Sequence, residues 1–250
     1  MHAPAALVPL AAAAVAVLAL AGCAQPAAEP TEAPTTAPTS QAPEPTTEPT
    51  ATEDPTAIDT SDWLTYETTD SDASFRYPAD WTLESDAELF APDADRDDVQ
   101  DPYERTMDSA TLTAPNGQQL LALADFVDIG GACGGIVFPF EVLAQEPSEA
   151  AALDGGGSVI ATVAIGTETD RWIMGIGITD AERLEYEEAC TTYFVAGSSD
   201  GGVGFGTHFQ MGSTDDDPLW SIDSLDDARA YMETDEYRTI LEILRSFEVR

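Results

Sequence analysis

Few residues of this chain could do chemistry, and the first to consider are a serine turn and a histidine. Gly197-Ser198-Ser199-Asp200-Gly201 has the G-x-S-x-G spacing that exposes a serine as a nucleophile on a tight turn. Such a turn needs a strand before it and a helix after it. Here Gly202-Val203-Gly204-Phe205 continues as strand, so the segment reads as a hairpin turn. A Ser or Cys nucleophile also needs a base, and His208 is the one histidine beyond His2. Ser199 with His208 is the hydrolase pair on offer, set against a plain strand histidine.

A second candidate is the run 93–104. It places Asp93, Asp95, Asp97, Asp101 and Glu104 at positions 1, 3, 5, 9 and 12 of a twelve-residue calcium loop. Asp98 stands where that loop needs glycine, Gln100 replaces an apolar residue, and Pro102 falls where a helix would start. Two readings stay open: a Ca²⁺ site that makes binding calcium-dependent, or an exposed acidic loop. No cofactor other than Ca²⁺ is implied.

Charge narrows the function classes. The chain has 47 Asp and Glu against nine basic residues, all Arg, for a net charge of −38. Phosphate contacts need clustered cations, so nucleic acid is excluded as a partner. The absence of Lys removes Schiff-base catalysis, Ser–Lys dyads and a phosphate-binding P-loop. Close carboxylate pairs arise without function in so acidic a chain.

The elements that must position these residues begin after a targeting segment. Residues 5–20 are almost wholly Ala, Val and Leu, short for a membrane span and suited to a signal-peptide core. They end in Leu20-Ala21-Gly22-Cys23, which resembles the bacterial lipobox. That resemblance implies a diacylglycerol on the Cys23 thiol, cleavage before Cys23, and attachment to the lipid bilayer on the outer face of the cell membrane. Lipidation of Cys23 leaves Cys133 and Cys190 in an oxidising compartment, where they are expected to join. A reactive Cys133 in its Gly-rich loop is the alternative. Residues 24–60 are Pro, Thr, Ala and Glu, with eight prolines. Such a segment buries too little surface to offset its ordering entropy and is read as a disordered tether. Its extended reach is about 100 Å at ~3.1 Å per residue. The organisation expected is a signal peptide over 1–22, a lipidated Cys and linker over 23–60, and one globular domain over 61–250.

Within that domain Phe75 and Tyr77 share one face of a strand that Pro78 ends. Strands over 109–113 and 119–127 flank Ala114-Pro115-Asn116-Gly117, a hairpin signal. In 171–179, Trp172, Met174, Ile176 and Ile178 oppose Gly175 and Gly177; in 203–210, Val203, Phe205 and Phe209 oppose Gly204, Gly206 and His208. Alternate glycines imply a flat strip that receives a helix, a large aromatic or a ligand. Ser224 with Asp227 predicts a cap for a helix over 225–232, and Thr234 caps a second in which Tyr237, Ile240, Leu241 and Leu244 form an apolar stripe. Residues 246–249 read as a last short strand.

Phe75-Arg76-Tyr77-Pro78-Ala79-Asp80-Trp81, together with Ile243-Leu244-Arg245-Ser246-Phe247, resembles the PsbP-like fold family. The resemblance implies an α+β domain, an antiparallel sheet with helices packed on its faces, and a binding or assembly role. A non-enzymatic binding or envelope-assembly module, with an envelope protein or small ligand as partner, is therefore the leading expectation. An extracytoplasmic hydrolase using Ser199 and His208 is the alternative.

Overall fold

The computed structural model describes residues 57–90, 105–127, 129, 135–154, 156–198, 201–213 and 217–249. All fall within the second of two units, Met1–Thr52 and Glu53–Arg250, into which the chain divides. Strands β1 (Leu64–Glu67), β2 (Ala73–Tyr77), β3 (Thr82–Phe90), β4 (Arg105–Thr113), β5 (Gln119–Phe126), β6 (Phe138–Pro147), β7 (Ser158–Gly166) and β8 (Trp172–Asp180) are followed by a 3-10 turn at Ala181–Leu184. Then come β9 (Glu188–Ala189), β10 (Thr191–Tyr193), β11 (Val195–Ser198), β12 (Gly201–Gly206), β13 (Gln210–Gly212) and β14 (Ser221–Ile222). Helices α1 (Leu225–Met232) and α2 (Asp235–Arg245) precede β15 (Glu248–Val249).

The strands build a ten-stranded antiparallel sheet in the order β3-β4-β5-β12-β8-β7-β6-β9, with β11 beside β12 and β14 beside β8. A small sheet, β1-β2-β15, and the β10–β13 pair complete the fold. The α+β class expected from sequence is what stands here, with strands predominating over two short helices.

Alternation of side chains fixes which face buries what. On one face Leu112, Leu121, Leu123, Ile160, Met174, Ile176, Ile178, Val203 and Phe205 meet both helices and the small sheet. Phe205 stacks on Phe75 at 4.7 Å between ring centroids and lies 5.0 Å from Phe247, so β2 and the segment after α2 meet over mid-sheet. Both helix caps form as their sequences require: Ser224 accepts from the Asp227 N–H and Thr234 from the Tyr237 N–H. The α2 stripe buries Tyr237, Ile240, Ile243 and Leu244, while Leu241 is only partly covered. The Tyr237 and Thr162 hydroxyls share a 2.8 Å hydrogen bond, and the Arg245 guanidinium forks onto the Glu146 carboxylate at 2.6 and 2.7 Å. These tie α2 to β7 and β6.

Among the described residues both α-helices pack on that first face, and on the opposite face the 3-10 turn contributes Leu184. Phe140, Val163, Ile165 and Ile173 of the sheet are covered there by Leu184, Phe194 and Met211, which come from the chain after β8. The glycine strip explains how that layer fits. A Cβ on Gly177 would lie 2.6 Å from Phe194 Cγ, and one on Gly175 would lie 2.6 Å from Met211 Sδ and 2.7 Å from Phe194 Cε2. The ring of Phe209 occupies the equivalent space over Gly204, at 2.3 Å. The strip thus receives large side chains of this chain. Phe209, expected beside Val203 and Phe205, lies on the glycine side instead, because β12 ends at Gly206 and the chain turns back.

Candidate functional site

Asp108 on β4 and Asp125 on β5 face each other across the strands, one step beyond the Ser109–Ala124 pair. Directly opposed like charges are unfavourable by ~0.2–1 kcal/mol, so such a pair needs compensation. The β1–β2 turn supplies it. Thr69 donates its N–H to Asp108 Oδ2 at 2.7 Å and its hydroxyl to Oδ1 at 3.2 Å, and the Asp108 N–H donates to Asp125 Oδ2 at 3.0 Å. Thr106 donates its N–H to Asp70 Oδ2 at 2.6 Å, which holds that exposed carboxyl below its ordinary range. Arg105, itself buried, donates to the Phe126 carbonyl at 3.0 Å. Burial, reinforced by the Asp108 charge, pushes the Asp125 carboxyl up, although the Asp108 N–H, Ser71 and Arg105 oppose it. Burial first, then Asp108 and Asp125, push the Tyr66 hydroxyl up to about 12.

Asp125 Oδ1 is buried without a hydrogen-bond partner and lies beside a cavity of about 10 Å³ lined by Ser71, Arg105, Thr106 and Ser198. That volume admits about one water. No substrate fits. The cluster therefore works as a fastener: it pins the β1–β2 turn to the large sheet, with Thr69 of the turn donating to Asp108 of β4 and Thr106 of β4 donating to Asp70 of the turn.

A different surface is open. Among the described residues, six large apolar side chains are exposed, and three of them, Ile136 (61%), Val137 (47%) and Tyr186 (64%), lie along one sheet edge, Tyr186 before one end of the β6–β9 pairing and Ile136 and Val137 beyond the other. There the chain entering β6 pairs with β9, Phe138 opposite Ala189 and Pro139 opposite Glu188. The Phe140 N–H extends the pairing to the Glu187 carbonyl at 2.9 Å. Pro139 and residues 185–188 line an open cleft of about 570 Å³. Glu185, Glu187 and Glu188 are all exposed around it. Cys190, partly buried just beyond β9, is disulfide-bonded.

The residues singled out from sequence fare differently. Cys23, Cys133, Asp93, Asp95, Asp97, Asp101, Glu104 and Ser199 lie outside the described residues. The run 93–104 falls between Phe90 and Arg105, which pair as the last residues of β3 and the first of β4. Among the described residues no group of three or more His, Cys, Asp or Glu is arranged to hold a metal ion. No helix among them is long and apolar enough to cross a membrane.

The serine turn joins β11 to β12 as an antiparallel hairpin, Ser198 opposite Gly201, so strand follows it and not helix. His208 is half-buried past the other end of β12, where its Nδ1 and the Thr207 hydroxyl share a 2.8 Å hydrogen bond and its ring meets Trp220 edge-on. Five residue steps from Gly201 to Gly206 place the two ends of β12 about 17 Å apart. The strand thus runs from Gly201 at the turn to Gly206 before His208, and Ser199 itself lies outside the described residues. Sequence reading missed both the Asp108–Asp125 pair and the apolar edge. The signal for the edge was Tyr186 alone among the acids of Glu185-Tyr186-Glu187-Glu188.

Compared with known proteins, the chain matches no family model, no curated protein and no solved structure.

Proposed function

We propose that this chain is a lipid-anchored binding module on the outer face of a cell membrane, and that it binds through the edge formed by Ile136, Val137 and Tyr186. The single observation that carries the binding reading is that three of the six exposed large apolar side chains lie along the β6–β9 edge, with Tyr186 lining an open cleft at one end of it. Leu20-Ala21-Gly22-Cys23 supports the anchor, and the Pro- and Thr-rich segment after it supports a tether that holds the domain away from the bilayer. Ile58, near the end of the expected tether, packs against the main core.

The finer fold in this proposal is PsbP-like. Its support is that the two segments carrying that resemblance are neighbours in space: the Arg76 N–H donates to Ser246 Oγ at 2.8 Å, and β15 pairs with β2. Cys133 is proposed as the partner of Cys190.

Replacing Tyr186 by a photoreactive benzophenone amino acid in the full chain tests the binding reading. Irradiation of cells carrying it should give a discrete adduct, absent when the probe replaces Leu64 and lost when Ile136→Ser is added. Equal labelling from both positions would refute binding at this edge.

A further inference from the structure

We infer that the edge formed by Ile136, Val137 and Tyr186 receives a cationic, apolar protein segment, one in which Arg or Lys side chains accompany large apolar ones. The inference rests on the binding reading above and adds the chemistry of the partner.

Two features of the edge act together. The exposed apolar side chains gain from losing water, about 25 cal/mol per Å² covered. The cleft at the Tyr186 end of the edge is rimmed by Glu185, Glu187 and Glu188, and burying any of these without a counter-charge would be costly. The described arginines that form ion pairs form them away from this rim. Arg171 pairs with Asp223, Arg183 with Asp154 and Asp180, Arg229 with Asp226, Arg238 with Asp235, and Arg245 with Glu146 and Glu242. A cationic partner supplies the counter-charge that these pairs do not.

The same balance excludes two other occupants. A second copy would bring another −38 charges and an identical acidic rim, so self-association is opposed by repulsion. An anionic lipid surface would repel the rim as well. The cleft is open and shallow, which suits a chain segment lying along it better than a small molecule enclosed within it. The acidic rim would also speed encounter with a cationic partner. Pairing of β6 with β9 and the disulfide at Cys190 hold the edge in place before binding.

The test uses the full chain at physiological salt and fluorescent peptides of roughly a dozen residues, read by anisotropy. One peptide alternates Val with Arg, a second Ser with Arg, and a third Val with Gln. The Val/Arg peptide should bind at least about tenfold more tightly than either of the others, since each lacks one half of the recognition. Ile136→Ser with Tyr186→Ser should weaken it about tenfold, and so should Glu185→Gln, Glu187→Gln and Glu188→Gln together. Removing three carboxylates from β3, by Glu84→Gln, Asp86→Asn and Glu88→Gln, should change binding less than about twofold, because exposed charges beyond a Debye length are screened. All of these side chains are exposed, and unchanged melting temperatures would confirm intact folding. Absent binding, equal binding of the Ser/Arg peptide, or equal loss from the β3 variant would each overturn the inference. A Tyr186 photoadduct persisting alongside any of these results would leave the binding edge standing and remove only the proposed chemistry.

Discussion

Gly177→Ala is the smallest change that should loosen the layer carrying the binding edge. The added methyl carbon would sit 2.6 Å from Phe194 Cγ and 2.7 Å from its Cβ and Cδ1, far inside van der Waals contact. Phe194 is fully buried and cannot step aside. Its N–H donates to the Phe209 carbonyl at 3.0 Å, and its carbonyl accepts from Phe205 at 3.1 Å, so its backbone is held on both sides. Overpacking of this kind costs ~1–3 kcal/mol, and the contact with Cβ as well as the ring places this case near the upper end. Replacing a strand glycine returns ~0.5–1 kcal/mol, leaving a net loss of about 2 kcal/mol. For a domain of this size that lowers Tm by about 4–8 °C. Thermal unfolding followed by circular dichroism measures it, with Gly157→Ala as control because nothing lies within 4 Å of a Cβ there. Adding Phe194→Leu to Gly177→Ala should recover part of the loss, less than additivity of the two single changes allows. A Gly177→Ala variant as stable as the Gly157→Ala control would refute the packing described for the glycine strip.

Asp125→Asn tests the fastener at the β1–β2 turn. A carboxyl raised in the folded state contributes stability that is fully present below its unfolded pKa and lost as pH rises through the folded one. The variant should therefore match the wild type near pH 3 and become the more stable of the two toward pH 7; a gap independent of pH would contradict the upward shift. Thr234→Ala removes the cap of α2 and should cost about 1 kcal/mol in urea unfolding, with Thr234→Ser restoring it. Mass mapping without reduction should find Cys133 joined to Cys190, a link worth about 4 kcal/mol in the chain-entropy model; two free thiols in oxidised protein would defeat the pairing.

The parts of the fold legible in the sequence are those whose signals are local. Ser224 and Thr234 mark their helices because a capping side chain needs only residues three positions on. β8 was legible because its two faces meet different partners: bulky residues on one side and glycines under Phe194 on the other. β7 was not, since both its faces are buried and Ser158–Gly166 reads as an unpatterned apolar run. β3 was missed for the opposite reason, being an edge strand whose nine residues are mostly exposed and include three acids. The Asp108–Asp125 pair depends on strand register, which no local signal carries, and Thr69 reaches it from 39 residues away. The apolar edge was hidden likewise. Ile136-Val137-Phe138-Pro139-Phe140 reads as core from composition, yet Phe140 is buried while Ile136 and Val137 are exposed.

Binding at a membrane surface stands or falls with Cys23, and intact-mass analysis of the chain recovered from the membrane fraction tests it most directly. The proposed anchor predicts a polypeptide beginning at Cys23 and carrying the mass of a diacylglycerol on that residue, with Cys23→Ser giving only uncleaved or soluble protein. A membrane-recovered chain with an unmodified Cys23, or a Cys23→Ser variant that fractionates and labels with palmitate as the wild type does, would contradict it.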